Sequence, residues 1–186
     1  MAQHALHALG MLEFSSIGKG IESADQMVKA ADVTPLFFRT ICPGKFIAAV
    51  RGETAAVHAS VSAGLAMGGA LVVDWFTLAN IHPEVLAALA GNAADAGESA
   101  LGILETFSAA SIVLASDAAV KAADVRLLDV RIAMGLGGKG YALMSGDVAA
   151  VQAAVQTGAR SASDAGLLVE QTVIPSPART VWEQIL

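Results

Sequence analysis

Apolar and polar positions along the chain fall into two successive copies of one pattern. Ala8–Phe14 and Ala100–Thr106 are apolar runs of strand length, each followed closely by a serine, Ser16 or Ser108. A serine hydroxyl in that place accepts a bond from an otherwise unpaired N–H of a first helical turn. The pattern therefore predicts helices over residues 16–30 and 108–122. In the first of these, Ile17, Ile21, Ala24 and Val28 keep the spacing of one buried face. A second strand is clearest in the later copy, where Leu128, Val130 and Ile132 alternate with Asp129 and Arg131, so that one face is expected to meet the core. Third strands over residues 46–50 and 141–144 lead to Gly52-Glu53 and Gly146-Asp147, each opening another helix, the first ending near residues 64–68. Fourth strands over residues 71–76 and 167–173 precede Pro-marked loops and a short terminal helix.

The two copies are a duplication. Ala8-Leu9-Gly10-Met11-Leu12-Glu13 returns as Ala100-Leu101-Gly102-Ile103-Leu104-Glu105, and Val28-Lys29-Ala30-Ala31-Asp32-Val33 returns unchanged from Val120 to Val125, both 92 residues on. Beyond the second strand the offset becomes 94, as Gly52 matches Gly146, so the later copy carries two extra residues in the turn between its second and third strands. Two copies of so long a period are tandem domains, not a solenoid. The order β-α-β-β-α-β is that of a ferredoxin-like unit. The expected fold is α+β: two tandem ferredoxin-like domains, residues 1–92 and 97–186, each a sheet covered by helices, with residues 91–98 as a small polar linker.

Composition narrows the partners. The chain is 55% hydrophobic, 15% charged and poor in aromatics, which favours slim Ala- and Gly-rich helices packed close on sheets. A net charge of −6 argues against nucleic acid, because binding phosphates needs clustered Lys and Arg. High apolarity with low charge points to surface buried against other subunits. No uninterrupted apolar run approaches the ~18 residues of a membrane helix, and the start, Met1 to Ala5, lacks the basic and apolar regions of an export signal. One cysteine excludes an intrachain disulfide framework and fits a reducing cytosol.

That cysteine sits in the turn Thr40-Ile41-Cys42-Pro43-Gly44-Lys45-Phe46, whose counterpart is Ile132-Ala133-Met134-Gly135-Leu136-Gly137-Gly138-Lys139-Gly140-Tyr141. Glycine accepts positive φ and proline fixes φ, so both stretches read as sharp turns between strands. Lone cysteines are commonly buried and inert, but a thiol beside Pro43 and Gly44 at a hairpin tip is not in a core position. If copies of the turn met on a symmetry axis, one thiol per chain would become a cluster of thiols, and iron–sulfur clusters need several thiolates.

The repeated Ala-Leu-Gly-x-Leu-Glu, the Lys-Ala-Ala-Asp-Val after the first helix and the Gly-Glu/Asp after the third strand resemble bacterial microcompartment shell domains. Two such domains in one chain resemble the tandem-domain, trimer-forming shell proteins. Thr40 to Lys45, with Asn80-Ile81-His82-Pro83 and Gly137-Gly138-Lys139, resembles most the T-type proteins of propanediol-utilisation compartments. The resemblance implies a cytoplasmic homotrimer with the outline of a hexagonal tile, joined edge to edge with other shell proteins. It also implies a central pore lined by Ile41, Pro43, Gly44, Met134, Gly135, Leu136 and Gly137. Cys42 would there share a four-iron, four-sulfur cluster among three chains, with one iron left to a non-protein ligand. The resemblance implies a tile-edge role for Lys29 and Lys121; His82, before Pro83, reads first as a plain loop residue, with an edge contact as the alternative. The chain departs from the family at that edge: the loops 81–83 and 174–177 carry no Arg of the family's Pro-Arg-Pro segment, so edge packing must use other groups.

Other motifs give way to plainer readings. Gly135 to Gly140 fits G-x-G-x-x-G, but a dinucleotide site needs a helix next, and Tyr141 to Met144 reads as strand; Gly140 also stands where a phosphate loop needs Ser or Thr. His58 is expected on an exposed helix face, and His4 and His7 in a frayed terminus. Glu13 and Glu105 hold the same repeat position with no nearby His, Ser or Lys constellation, so they read as structural strand-end groups rather than an acid–base pair. Lys29 and Lys121 end helices, where a cation offsets the negative pole of the dipole. No catalytic set emerges. The expected function is a non-enzymatic shell tile with a redox cluster for electron transfer, or for cluster delivery to encapsulated redox enzymes. The alternatives are the same tile with an open small-molecule pore and no cluster, and a cytosolic ligand-binding regulator.

Overall fold

A computed structural model describes residues 8–91, 99–132 and 135–185. His4, His7, most of the expected linker and Met134 lie outside the described residues. Two compact units divide the chain at Ile81 and His82. The first contains β1 (Ala8–Phe14), α1 (Ile17–Ala30), β2 (Thr34–Ile41), β3 (Lys45–Gly52), α2 (Thr54–Gly68) and β4 (Val72–Leu78). The second opens with α3 (Pro83–Leu89) and repeats the series as β5 (Ala100–Thr106), α4 (Ala109–Ala122), β6 (Arg126–Ile132), β7 (Gly140–Gly146), α5 (Val148–Asp164) and β8 (Leu168–Ile174), ending in α6 (Arg179–Ile185). Each unit has a four-stranded antiparallel sheet, in the orders β2-β3-β1-β4 and β6-β7-β5-β8. This is the α+β, ferredoxin-like arrangement expected from the element order.

The expected caps form. Ser16 accepts from the Lys19 amide at 3.4 Å, and Ser108 from the Ser111 amide at 2.9 Å. In the first unit Ala8, Leu12, Phe14, Phe46, Ala48 and Val50 of the sheet pack on Ala24, Met27, Val57 and Val61 of the two helices. The layers meet closely over the central strand. A Cβ on Gly10 would lie 2.5 Å from Val61 and 2.8 Å from Val57; one on Gly102 would lie 2.7 Å from Val155 and 2.8 Å from Val151. Only glycine fits at these crossings.

Three expectations are corrected. The buried face of α1 is Gly20, Ser23, Ala24 and Met27, not the stripe of Ile17, Ile21 and Val28, which stay 38%, 55% and 36% exposed. The reason is clearance: a Cβ at Gly20 would lie 2.6 Å from the Phe46 ring, so small residues face the sheet and the branched ones turn outward. Second, Leu128 does not share a face with Val130 and Ile132. A register shift between Leu127 and Asp129 breaks the alternation, and Leu128 packs with Leu101, Leu143 and Trp182 on the side away from α5. A bulge of this kind adds one residue to a strand and flips what precedes it. Third, Thr54–Leu71 does reach the length and mean hydropathy (1.2 over 18 residues) of a membrane-crossing helix. Valine, leucine, methionine and alanine together supply that score. Within the domain the same helix lays Val57, Ser60, Val61, Gly64 and Gly68 against its unit, the spacing of a covering helix.

Replacing Gly10 or Gly102 by Ala inserts a methyl where short Val side chains already touch backbone. Each variant should lose about 1–3 kcal/mol of unfolding free energy, the usual cost of overpacking. Urea unfolding of the purified chain measures it, and a midpoint equal to wild type would refute the crossing.

Candidate functional site

The two turns grow from equivalent rungs of the two sheets. Thr40 faces Phe46 and Ile132 faces Gly140, with five intervening residues in the first unit and seven in the second. In the short turn Ile41 is buried, while Cys42, Pro43 and Gly44 are exposed. Gly44 has φ 75° and the Cys42–Pro43 peptide is cis. The left-handed backbone suits glycine alone, and no atom lies within 4 Å of where a Gly44 Cβ would sit. In the long turn Gly135 (φ 73°) and Gly137 (φ 60°) are exposed with the same open space around them, and Leu136 is half-buried. The Lys139 amide donates to the Leu136 carbonyl at 3.2 Å, closing the loop on itself. A strand, β7, follows directly, so the glycine pattern lacks the helix that a pyrophosphate site requires.

Both turns are tied to their central strands by ion pairs that the sequence alone does not show. Lys45 Nζ lies 2.7 Å from Glu13 Oε1, and that carboxylate is fully buried. The counterpart pair, Lys139 and Glu105, spans 3.4 Å and both partners are well exposed. The reading of the two glutamates as lacking a lysine nearby is therefore corrected. Their register opposite the third strand brings in a lysine from beyond the turn, a pairing invisible to sequence distance. The cysteine turn is the more firmly held of the two.

The strands entering the turns differ as well. Arg39 lies 4.8 Å over the Phe37 ring, its buried Nε has no hydrogen-bond partner among the described residues, and burial lowers its pKa. At the equivalent place Arg131 Nε donates to Asp129 Oδ2 at 2.7 Å. The Tyr141 hydroxyl donates to the same oxygen at 3.3 Å. Burial raises the Tyr141 pKa, the Asp129 charge adds to this, Arg131 opposes it, and the hydrogen bond to Asp129 adds again. Among the described residues no three His, Cys, Asp or Glu side chains gather as a metal site. The exposed Cys42 thiol belongs to no such group.

Away from the turns, Lys29 and Lys121 each close the last turn of a helix and each bind the aspartate four residues earlier. Lys29 meets Asp25 at 2.6 Å in the open. Lys121 meets Asp117, which is buried and also accepts the His82 backbone N–H at 2.7 Å. His82 turns its ring back to cap α3, Nδ1 accepting from the Glu84 amide at 3.4 Å. Glu84 in turn accepts from the Leu127 amide at 3.0 Å and lies 3.5 Å from Arg126. Sequence reading missed Asp117 and Glu84; the Asp-x-x-x-Lys spacing was the available signal for the first, and nothing local marks the second. His58 is on an exposed helix face, 3.3 Å from the Thr77 hydroxyl.

Comparison with known proteins places this geometry. The BMC domain model matches residues 8–81 and again 100–177. The chain is 44% identical over 180 residues to the bacterial microcompartment shell protein PduT of Citrobacter freundii, covering 96% of this chain and 97% of that one. Over 78 residues it is 47% identical to the bacterial microcompartment shell protein EutM of Salmonella typhimurium, covering 42% of this chain and 79% of that one. Among solved structures, a microcompartment protein from Desulfitobacterium hafniense superposes with a TM-score of 0.86 at 45% identity, covering 96% of this chain and 99% of that one. A fused, permuted hexameric shell protein of the RMM microcompartment shares the fold, with a TM-score of 0.63 at 24% identity over 85% of this chain and 82% of that one.

Two contrasts between the copies are measurable. Lys45→Ala strips the ammonium from a buried carboxylate and should cost about 3 kcal/mol, whereas Lys139→Ala, at an exposed pair, should cost under about 1 kcal/mol. In the same chemical-denaturation assay Lys121→Ala should destabilise more than Lys29→Ala, because Asp117 is buried and Asp25 is not. Equal losses within either pair of variants would contradict the burial that separates them.

Proposed function

The chain belongs to the BMC-domain family, and from that premise we infer that it is a structural, non-enzymatic shell protein of a bacterial microcompartment, a protein-walled body in the cytoplasm. We propose further that three chains close into a trimer with six similar domains around one axis. Two domains per chain alternating about a three-fold give a six-cornered outline, and closed cyclic symmetry is the ordinary way such repeats assemble. Such a tile meets other shell proteins along its edges, where Lys29 and Lys121 are the candidate contacts.

In this reading the short turns converge at the centre and Cys42 of each chain is a ligand to a shared four-iron, four-sulfur cluster. The observation that carries it is the place of the thiol: exposed at the apex of a narrow turn, in one repeat of the two. A single chain cannot supply the ligand set, because it holds one cysteine. Three copies supply three thiolates, a soft donor set suited to iron and sulfide, with one iron completed by a non-protein ligand. When bound, the cluster supplies one-electron chemistry across the shell, or is itself the cargo for redox enzymes inside. The chain's own part is to hold the sulfurs. Buried Ile41 fixes one side of the turn's base, the Lys45–Glu13 pair fixes the other, and Gly44 lets the backbone reverse without a side chain in the way. Gly135, Leu136 and Gly137 of the longer turn form the remaining wall.

Protein made and purified without oxygen should be brown and carry about one cluster per three chains. Cys42→Ser should be colourless and of unchanged mass by light scattering. Iron-free wild-type trimers from the same preparation would leave the open small-molecule pore as the function of the turn, and a monomeric mass would remove the tile itself.

A further inference from the structure

Resting on the trimeric reading, we propose that α6 of a second copy of this chain docks on α1 and the β2 edge of the first unit, with the Ala178 backbone N–H donating to the Asp25 carboxylate.

The pattern for this contact is already built within the second unit. There α3 lies along β6 and the end of α4. Its leading N–H, from His82, donates to Asp117 Oδ1, while Lys121 holds the other oxygen of the same carboxylate. Val85, one turn further on, is fully buried. The duplication gives each of these groups a counterpart. Asp25 and Lys29 stand 92 residues before Asp117 and Lys121 and pair in the same way through Asp25 Oδ2. In the strands leading to the terminal helices Leu9 faces Leu78 and Leu101 faces Ile174, which sets α6 against α3 at an offset of 96. Ala178 then matches His82, Val181 matches Val85 and Thr180 matches Glu84.

Each half of the counterpart contact stands bare in one chain. Asp25 Oδ1 accepts no hydrogen bond among the described residues, and the Asp25–Lys29 pair is open to solvent. Val181 is 38% exposed, where Val85 is buried. On α1 the apolar stripe of Ile17, Ile21 and Val28 is exposed, while the matching Ala109, Val113 and Val120 of α4 are buried. α6 is meanwhile fixed as a ridge, because Trp182 is anchored among Leu101, Leu128 and Leu143 of its own unit.

The one part of the pattern that is not repeated is missing from both sides at once. Glu84 accepts the Leu127 amide, but Leu127 corresponds to Pro35, which has no N–H, and Glu84 to Thr180, which has no carboxylate. A proline facing a glutamate would leave a carboxylate without its donor at a desolvated edge. Changing both removes the conflict and keeps the docking surface. The occupant must present a helix like α3, and α6 is the segment of this chain that matches it. A contact between different surfaces of successive copies is head-to-tail and closes into a ring when the rotation permits.

The test uses disulfide trapping in the Cys42→Ser background. The reference variant His82→Cys with Asp117→Cys reproduces the contact inside one chain, where the backbone N and carboxylate oxygen are 2.7 Å apart. After mild air oxidation it should run as a compacted single chain. Asp25→Cys with Ala178→Cys should instead give linked dimers and trimers on a non-reducing gel, ending at the trimer. Trimers by light scattering with no linked chains would overturn the docking while leaving the tile intact. A monomeric mass would overturn both. Links that run past the trimer, or that form only within one chain, would place the two residues elsewhere and overturn the contact.

Discussion

Everything in each unit is positioned from its central strand, β1 or β5, which is constrained on both faces at once. On the helix face Gly10 and Gly102 admit the valines of α2 and α5 so closely that a single methyl would not fit. On the other face, three residues along, Glu13 and Glu105 reach the lysine that ends the turn between the second and third strands. The strand therefore sets both the depth at which the helices sit and the place where the turn returns. Loss of the glycine would push the helix layer outward; loss of the glutamate would free the turn while the layers stayed packed.

The same scaffold carries different chemistry in its two copies. The first turn is short, holds the thiol and is tied down by a buried ion pair; the second is longer by two residues, rich in left-handed glycines and tied by an exposed pair. At the helix ends the order of burial is reversed. Asp117 is buried and doubly bonded, while Asp25 is open. A duplication that only added mass would have no reason to keep such opposed pairs. Here the differences fall where a neighbouring copy would meet the chain, and the similarities fall in the core.

Most of the fold was legible because duplication doubles the signal. Caps, strands and the two extra turn residues could be checked against a second copy of themselves. What escaped was everything that depends on depth or on register. Periodicity finds an apolar stripe on α1 but cannot tell a face that meets the sheet from one that meets another molecule; Gly20 and Ser23, too small to score as apolar, are what the sheet accepts. The alternation in β6 hid a bulge at Leu128, since an extra residue leaves composition unchanged. Thr54–Leu71 escaped as a membrane-length stretch because serines, a threonine and a histidine interrupt it without lowering its mean hydropathy enough. The Glu13–Lys45 pair needed the register of β1 on β3, which no local pattern encodes. The turn itself was legible, because a Cys-Pro-Gly tripeptide between strands has few other readings.

In the proposed tile, the asymmetry between the turns follows from electrostatics. Six identical cysteine turns on one axis would bring six thiols together. Thiolates crowded in a desolvated site repel one another and stay protonated unless a cation or metal joins them. A cluster uses three such anions productively and leaves no ligand position for three more. Fusing two domains into one chain lets the sequence drop the thiol from alternate turns while the scaffold stays intact, and the space is taken by a glycine loop whose backbone carries no charge. Tandem duplication is thus the least costly route from a six-fold frame to a three-fold ligand set. It also explains why the firmer anchor, Lys45 on a buried Glu13, belongs to the turn that has a sulfur to hold in place.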